Sequence, residues 1–253
     1  MLTRTVVLGS PHTGLELLSH LLTAYPASLL VSDPVRAVLA PSQDEVRTAR
    51  RLSWVVGRIF RCDLPVLLSL NSWGALTQYG DQVTGPGLAV SHLTSPHLTS
   101  RQADRTTTAR RMLRPNSVMI DNILVTSITS RLSSFIWWLS QDPQVRLIHM
   151  VRHPRTLLAE KLARDHLSSI ADIKLLVADT CGDFREDLSA SQQLNSARYL
   201  RVRYEDLLES PANTTLGLLE RIDLPRHPNI FSLLNQVEII QLDQVTCCGV
   251  TND

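Results

Sequence analysis

Apolar residues along this chain gather in short blocks, each followed by a longer stretch in which they recur at helical spacing. The clearest instance runs from Val145 to Lys161, VRLIHMVRHPRTLLAEK. Seven mostly apolar residues with a high β-branched share predict a buried strand, Arg152-His153-Pro154-Arg155 a turn stiffened by proline, and the run from Leu157 a helix. Near the start, Thr5–Leu8 predicts a strand, Gly9 to Gly14 a loop, and LELLSHLLTAYP a helix. Leu15, Leu18 and Leu22, with Leu17 and Leu21, share one broad face of that helix. Further strands are expected at Ser28–Ser32, Ser117–Ile120 and Arg198–Arg203. Helices are expected over Pro41–Phe60, Ile128–Leu139, Cys181–Leu194 and Pro211–Ile222. Short strands alternating with longer helices predict an α/β fold: one parallel sheet covered on both faces, in a single domain spanning residues 1–253. Residues 230–253 show no period and are read as an irregular tail. Asn71–Arg105, rich in Gly, Ser, Thr and Pro, is read as a long surface excursion.

Composition narrows the function classes. The 253 residues are 43% hydrophobic, enough for a sizeable core, and the net charge is +1. Such a balance provides no global field for nucleic acid or an anionic membrane, so anion chemistry has to come from a local cluster. No run approaches the roughly 18 apolar residues of a membrane span, and the N-terminus lacks a signal-peptide layout. The expectation is a cytoplasmic protein or a chain whose membrane anchor is absent. Four cysteines (Cys62, Cys181, Cys247 and Cys248) have neither disulfide-scaffold density nor zinc-ligand spacing, and no metal site is expected.

Three places carry candidate chemistry. The glycine-bounded loop between the first strand and helix has the layout of an anion cradle, in which N–H groups at a helix start point at a phosphate; the alternative is a structural turn. Gly9 and Gly14 have Walker A spacing, but Leu15-Glu16 stands where Lys-Ser/Thr should follow, which disfavours a nucleotide triphosphatase or P-loop kinase. Asp33, before Pro34, is either a general base beside that loop, if the two strands are neighbours, or a helix cap. Arg152 and Arg155 stand at a strand's carboxyl end, where open α/β sheets bind ligands, and their guanidinium groups suit a phosphate; the alternative is a surface turn. Arg101, Arg105, Arg110, Arg111 and Arg114 form a basic neighbourhood, either a solvated face or a site for an acidic glycan. Trp137 and Trp138 are read as core rather than as a sugar platform.

With these pieces placed, the chain resembles the Golgi carbohydrate 6-O-sulfotransferases that act on N-acetylglucosamine, galactose and N-acetylgalactosamine. The stretches that carry the likeness are VRLIHMVRHPR, RYLRVRYEDLLESPANTTLGLLERIDL, the Cys-led segment from Cys181 to Leu188, FRCDL at Phe60–Leu64, and VVLGSPHTGLELLSHLLTAYP. The resemblance implies a P-loop-like sulfotransferase fold. It implies 3′-phosphoadenosine 5′-phosphosulfate as donor, without metal, and a glycan or glycoprotein acceptor in the Golgi lumen. Residue by residue, it places Thr13, Gly14 and Leu15 around the 5′-phosphosulfate, Arg152 with Arg155 at the 3′-phosphate, and His12 and Asp33 in the catalytic positions. Tyr204–Leu207 matches a motif read as structural.

The chain departs from that pattern at charged positions. Arg-Ser-Gly-Ser-Ser of the family loop is His12-Thr13-Gly14-Leu15-Glu16 here, so the cation becomes an imidazole that is charged only in a mildly acidic medium. Losing one donor to developing charge costs roughly 3 kcal/mol. Glu160 replaces the serine eight positions after Arg152. A carboxylate about 5 Å from a phosphate charge repels it by roughly 3 kcal/mol at an effective dielectric of about 20. Asp121 stands where a lysine is expected. The alternative expectation is therefore a catalytically silent glycan- or partner-binding protein on the same fold.

Overall fold

The structure is a computed structural model that describes residues 3–24, 28–32, 34, 45–61, 63, 122–127, 131–165 and 169–234. Its strands are β1 (Thr3–Gly9), β2 (Ser28–Ser32), β3 (Asn122–Ser127), β4 (Val145–Val151) and β5 (Tyr199–Arg203). Its helices are α1 (Leu15–Thr23), α2 (Glu45–Ile59), α3 (Ser133–Gln141), α4 (Pro154–Asp165), α5 (Ile170–Ser191), α6 (Tyr204–Glu209) and α7 (Pro211–Arg221). The five strands form one sheet in the order β2-β3-β1-β4-β5, every pair parallel. The α/β fold with a parallel sheet is thus the one expected.

Alternation along the central strands divides the core in two. Val6 and Leu8 of β1, with Val145 and Leu147 of β4, face α2, α3 and Ala190 of α5. Val7, Ile148 and Met150 face α1, α6 and α7 on the other side. Both faces of β1 and β4 are therefore dry, which is why their sequences read as continuous apolar runs. Trp138 is buried on the first face, stacked on Phe60 with ring centroids 5.7 Å apart and met edge-on by Phe135. The side chain of Trp137 lies outside the described residues.

Several elements differ from the sequence reading. The strand expected at Ser117–Ile120 lies outside the described residues, and the strand that joins β1 to β2 is Asn122–Ser127. Its polar ends disguise it: Asn122 is fully buried and bonds Ser28 through its side-chain amide at 3.2 Å, and Thr126 is also buried. The helix expected from Cys181 begins at Ile170, where Ser169 caps it by accepting from the Ala171 N–H, so exposed Cys181 sits mid-helix. Its first half hides the helical period because Ile170, Leu175 and Val177 all remain exposed. Of the tail read as irregular, residues 230–234 are helical and 235–253 lie outside the described residues, as do Asn71–Arg105 and the arginines from Arg101 to Arg114.

The order 2-3-1-4-5 makes β1 the strand where connections diverge. The chain leaves β1 toward β2 on one side and leaves β4 toward β5 on the other, opening a crevice at the carboxyl ends of β1 and β4. Gly9 pairs with Met150 in register, so the loop after β1 and the turn after β4 start side by side. Removing the Trp138 ring leaves a cavity against Phe60 and Phe135. Trp138→Ala is expected to lower the unfolding free energy by about 3–5 kcal/mol, measured by urea denaturation.

Candidate functional site

The loop after β1 is shaped by internal hydrogen bonds and two left-handed residues. Buried Thr13 donates to the Ser10 carbonyl from its backbone N–H at 3.2 Å and from its hydroxyl at 2.7 Å, closing a tight turn. His12 has φ 70° and Gly14 φ 85°, both in the region that side chains rarely adopt. At Gly14 there is a second reason for glycine: a Cβ would collide with the ring of Tyr204. Helix α1 then begins, with the Leu18 N–H donating to the Gly14 carbonyl and the Leu15 side chain buried in the core. Leu15 therefore has only its backbone to turn toward a ligand.

Arg152 joins this loop to the turn after β4. Its Nη1 donates to the His12 carbonyl at 2.7 Å and pairs with the Glu160 carboxylate, while its guanidinium lies 4.5 Å from the centroid of Tyr204. The other Glu160 oxygen lies 3.5 Å from His12 Nδ1. One turn away, the His153 N–H donates to Glu205 Oε1 at 2.7 Å. Partial burial works to raise the Glu205 carboxyl, but that N–H, its own N–H and nearby Arg203 and His153 prevail and hold it below its ordinary value.

Beside these turns, between β4, β5 and α5, lies a cavity of about 380 Å³. Three buried polar atoms belonging to its lining have no hydrogen-bond partner among the described residues: Thr180 Oγ1, Arg152 Nε and Glu205 Oε2. One is a donor, one an acceptor and one either, a set that calls for a polar ligand or bridging water. A smaller polar pocket of about 190 Å³ opens under Gly9–Pro11 and shares His149, Lys161, Asp183 and Asp187 with the first.

His149 stands where the two spaces meet. Its Nδ1 is 3.0 Å from the Tyr199 hydroxyl and its Nε2 3.7 Å from Asp187. Burial depresses the imidazole below its ordinary value, with Arg201 acting in the same sense and Asp187 against it. Burial also pushes the Tyr199 phenol up to about 12, so it stays protonated and suits the donor role toward a neutral ring.

Of the residues singled out from the sequence, the structure brings His12, Thr13, Gly14, Leu15 and Arg152 together. Arg155 is exposed on α4 and lines neither cavity. Asp33 lies outside the described residues. Its strand β2 pairs with β3 rather than β1, so the condition for Asp33 to stand beside the loop is not met and β3 lies between them. Sequence reasoning missed the cavity wall. Thr180, Asp183 and Asp187 fall at helical spacing on one face of α5, and His149 is the polar residue that interrupts an apolar strand.

Comparison with known proteins agrees with this architecture. Residues 137–228, from α3 to beyond α7, match the model of the Sulfotransferase family. Among solved structures, the sulfotransferase domain of the curacin biosynthetic pathway is 14% identical, with 91% of this chain and 77% of that one covered at a TM-score of 0.50. The sulfotransferase domain of the Synechococcus PCC 7002 olefin synthase is 18% identical, with 90% and 75% covered at 0.47. Sulfotransferase STF9 of Mycobacterium avium is 14% identical, with 93% and 67% covered at 0.48. At 14% identity the likeness to the curacin-pathway domain speaks to the fold alone, a sulfotransferase-like α/β fold. No curated protein matches. Among the described residues no helix is long and apolar enough to cross a membrane, and no cluster of His, Cys, Asp and Glu is arranged to hold a metal ion.

The depressed His149 predicts an acid-sensitive fold. Its contribution is complete above the unfolded value of 6.5 and is lost as the pH falls through the lower folded value, because the unfolded chain takes up the proton first. Unfolding free energy measured between pH 7.5 and 5 should fall in the native chain and fall less steeply in His149→Gln.

Proposed function

We propose that the protein transfers a sulfuryl group from 3′-phosphoadenosine 5′-phosphosulfate to a hydroxyl of a carbohydrate, as in the Golgi sulfotransferases it resembles. The observation that carries this reading is the seating of Arg152 against the loop after β1, at the point where the sheet's connections diverge. Two supports stand beside it. The family match spans β4, α4, α5, β5 and the start of α6, which supply most of the cavity wall, the rest coming from the loop after β1. The cavity itself has nucleotide-like size and unpaired polar atoms of both senses, which fits a ligand with donors and acceptors.

In this reading the donor brings the sulfuryl group on its 5′-phosphate. The backbone N–H groups at Thr13, Gly14 and Leu15 and the start of α1 would orient that end. Arg152 would hold the 3′-phosphate, with its plane fixed by Tyr204 beneath it. His12 would donate a hydrogen bond where negative charge develops. The acceptor is a glycan or glycoprotein, and the compartment is the Golgi lumen.

One observation favours a second reading, a catalytically silent binding protein on the same fold. The Glu160 carboxylate sits on Arg152 where the donor's phosphate would go. Calorimetry with adenosine 3′,5′-bisphosphate, followed by transfer of labelled sulfate to N-acetylglucosamine-, galactose- and N-acetylgalactosamine-terminated oligosaccharides, separates the two. Binding with transfer is expected. Arg152→Ala should weaken the bisphosphate by about 10- to 100-fold, the range of a charge-assisted hydrogen bond, while leaving the circular dichroism spectrum unchanged. Unaltered affinity in that variant would overturn the role given to Arg152, and binding without transfer would favour the silent scaffold.

A further inference from the structure

Glu160 belongs to this site, and the sulfotransferase reading gives it no role. It sits on α4, two helical turns beyond Arg152. Its carboxylate bridges the two turns of the site, one oxygen on Arg152 Nη1 and the other 3.5 Å from His12 Nδ1. That is the geometry of a bound anion, supplied by the chain itself. The grip is partial: Nη1 is shared with the His12 carbonyl, while Nε of the same planar fork is buried without a hydrogen-bond partner among the described residues. A phosphate monoester has three oxygens and up to two charges, so it can take Nη1 with more charge than the single carboxylate carries and turn a further oxygen to another donor of the guanidinium. The Glu160 side chain is 29% exposed, so it can swing toward solvent without unpacking the core.

We propose that Glu160 is a built-in competitor, holding the anion position between His12 and Arg152 in the free protein, so that a phosphate-bearing ligand enters only by displacing it. This rests on the reading of Arg152 as an anion-binding cation. Glu160 thereby sets the site's threshold: a weak or singly charged anion is excluded, and a phosphate monoester presented on a nucleoside, with the cavity to receive the rest of it, is admitted.

The test compares the native chain with Glu160→Gln, Glu160→Ser and the double variant Arg152→Ala/Glu160→Gln. Two probes are used: inorganic phosphate, read by thermal shift, and adenosine 3′,5′-bisphosphate, read by calorimetry. Phosphate should stabilise the Glu160→Gln protein and not the native one. The bisphosphate should bind Glu160→Gln about tenfold or more tightly than the native chain, as expected when a like charge at this range is removed. The double variant should lose both effects. Glu160→Ser guards against a folding defect in the glutamine variant. Collapse of both would make Glu160 a structural partner and overturn the proposal, as would phosphate responses and affinities equal to or weaker than native. The two readings fail separately. Phosphate protection of Glu160→Gln with no bisphosphate binding anywhere upholds the competitor and removes the nucleotide donor. Native bisphosphate binding with no gain in Glu160→Gln upholds the donor and removes the competitor.

Discussion

A single guanidinium, that of Arg152, fastens together segments far apart in the chain. It donates to a loop carbonyl 140 residues earlier in sequence, lies over the ring that opens α6, and meets a carboxylate from α4. The left-handed backbone at His12 and the missing side chain at Gly14 both belong to this arrangement. One orients the loop whose carbonyl Arg152 takes, and the other lets the Tyr204 ring approach from below. A half-buried guanidinium must also be neutralised, since removing one partner of such a pair strands the other charge away from water. The loop after β1 and the turn after β4 are thus one electrostatic unit, although each reads in isolation as an ordinary turn.

The sheet was legible where burial on both faces forces an unbroken apolar run. VVL in β1 and LLV in β2 have no polar residue to obscure them, and β4 tolerates His149 because the rest of VRLIHMV is so apolar. It was not legible at β3, where NILVTS buries Asn122 and Thr126 through side-chain and ladder bonding that no hydrophobic pattern records. Helix α5 failed for the opposite reason. Its amino-terminal half has many apolar residues but packs few of them, so its periodicity had nothing to report.

For the site, sequence motifs located the two turns but not what they enclose. Gly14 could be assigned to an anion loop from its spacing. That it is also required by Tyr204, nearly 200 residues on, is a tertiary fact. Asp33 stands beside the loop only if consecutive strands are neighbours, and the insertion of β3 between them removes that adjacency. Thr180, Asp187 and Tyr199 line the cavity from elements whose sequences are amphipathic in an ordinary way, so only their convergence marks them.

Among the described residues strand β5 is the outermost of the sheet on its far side. An unpaired row of backbone amides invites a second chain to add a strand. Here Arg201 and Arg203 project from that border into solvent, alternating with buried Leu200 and Val202, and both arginines also form the outer rim of the cavity. The same two cations therefore work against unwanted strand addition and put positive charge at the entrance of the cavity. Selection for a neutral, more hydrophobic rim would expose the border to self-association, tying the solubility of this protein to the charge it keeps at its door.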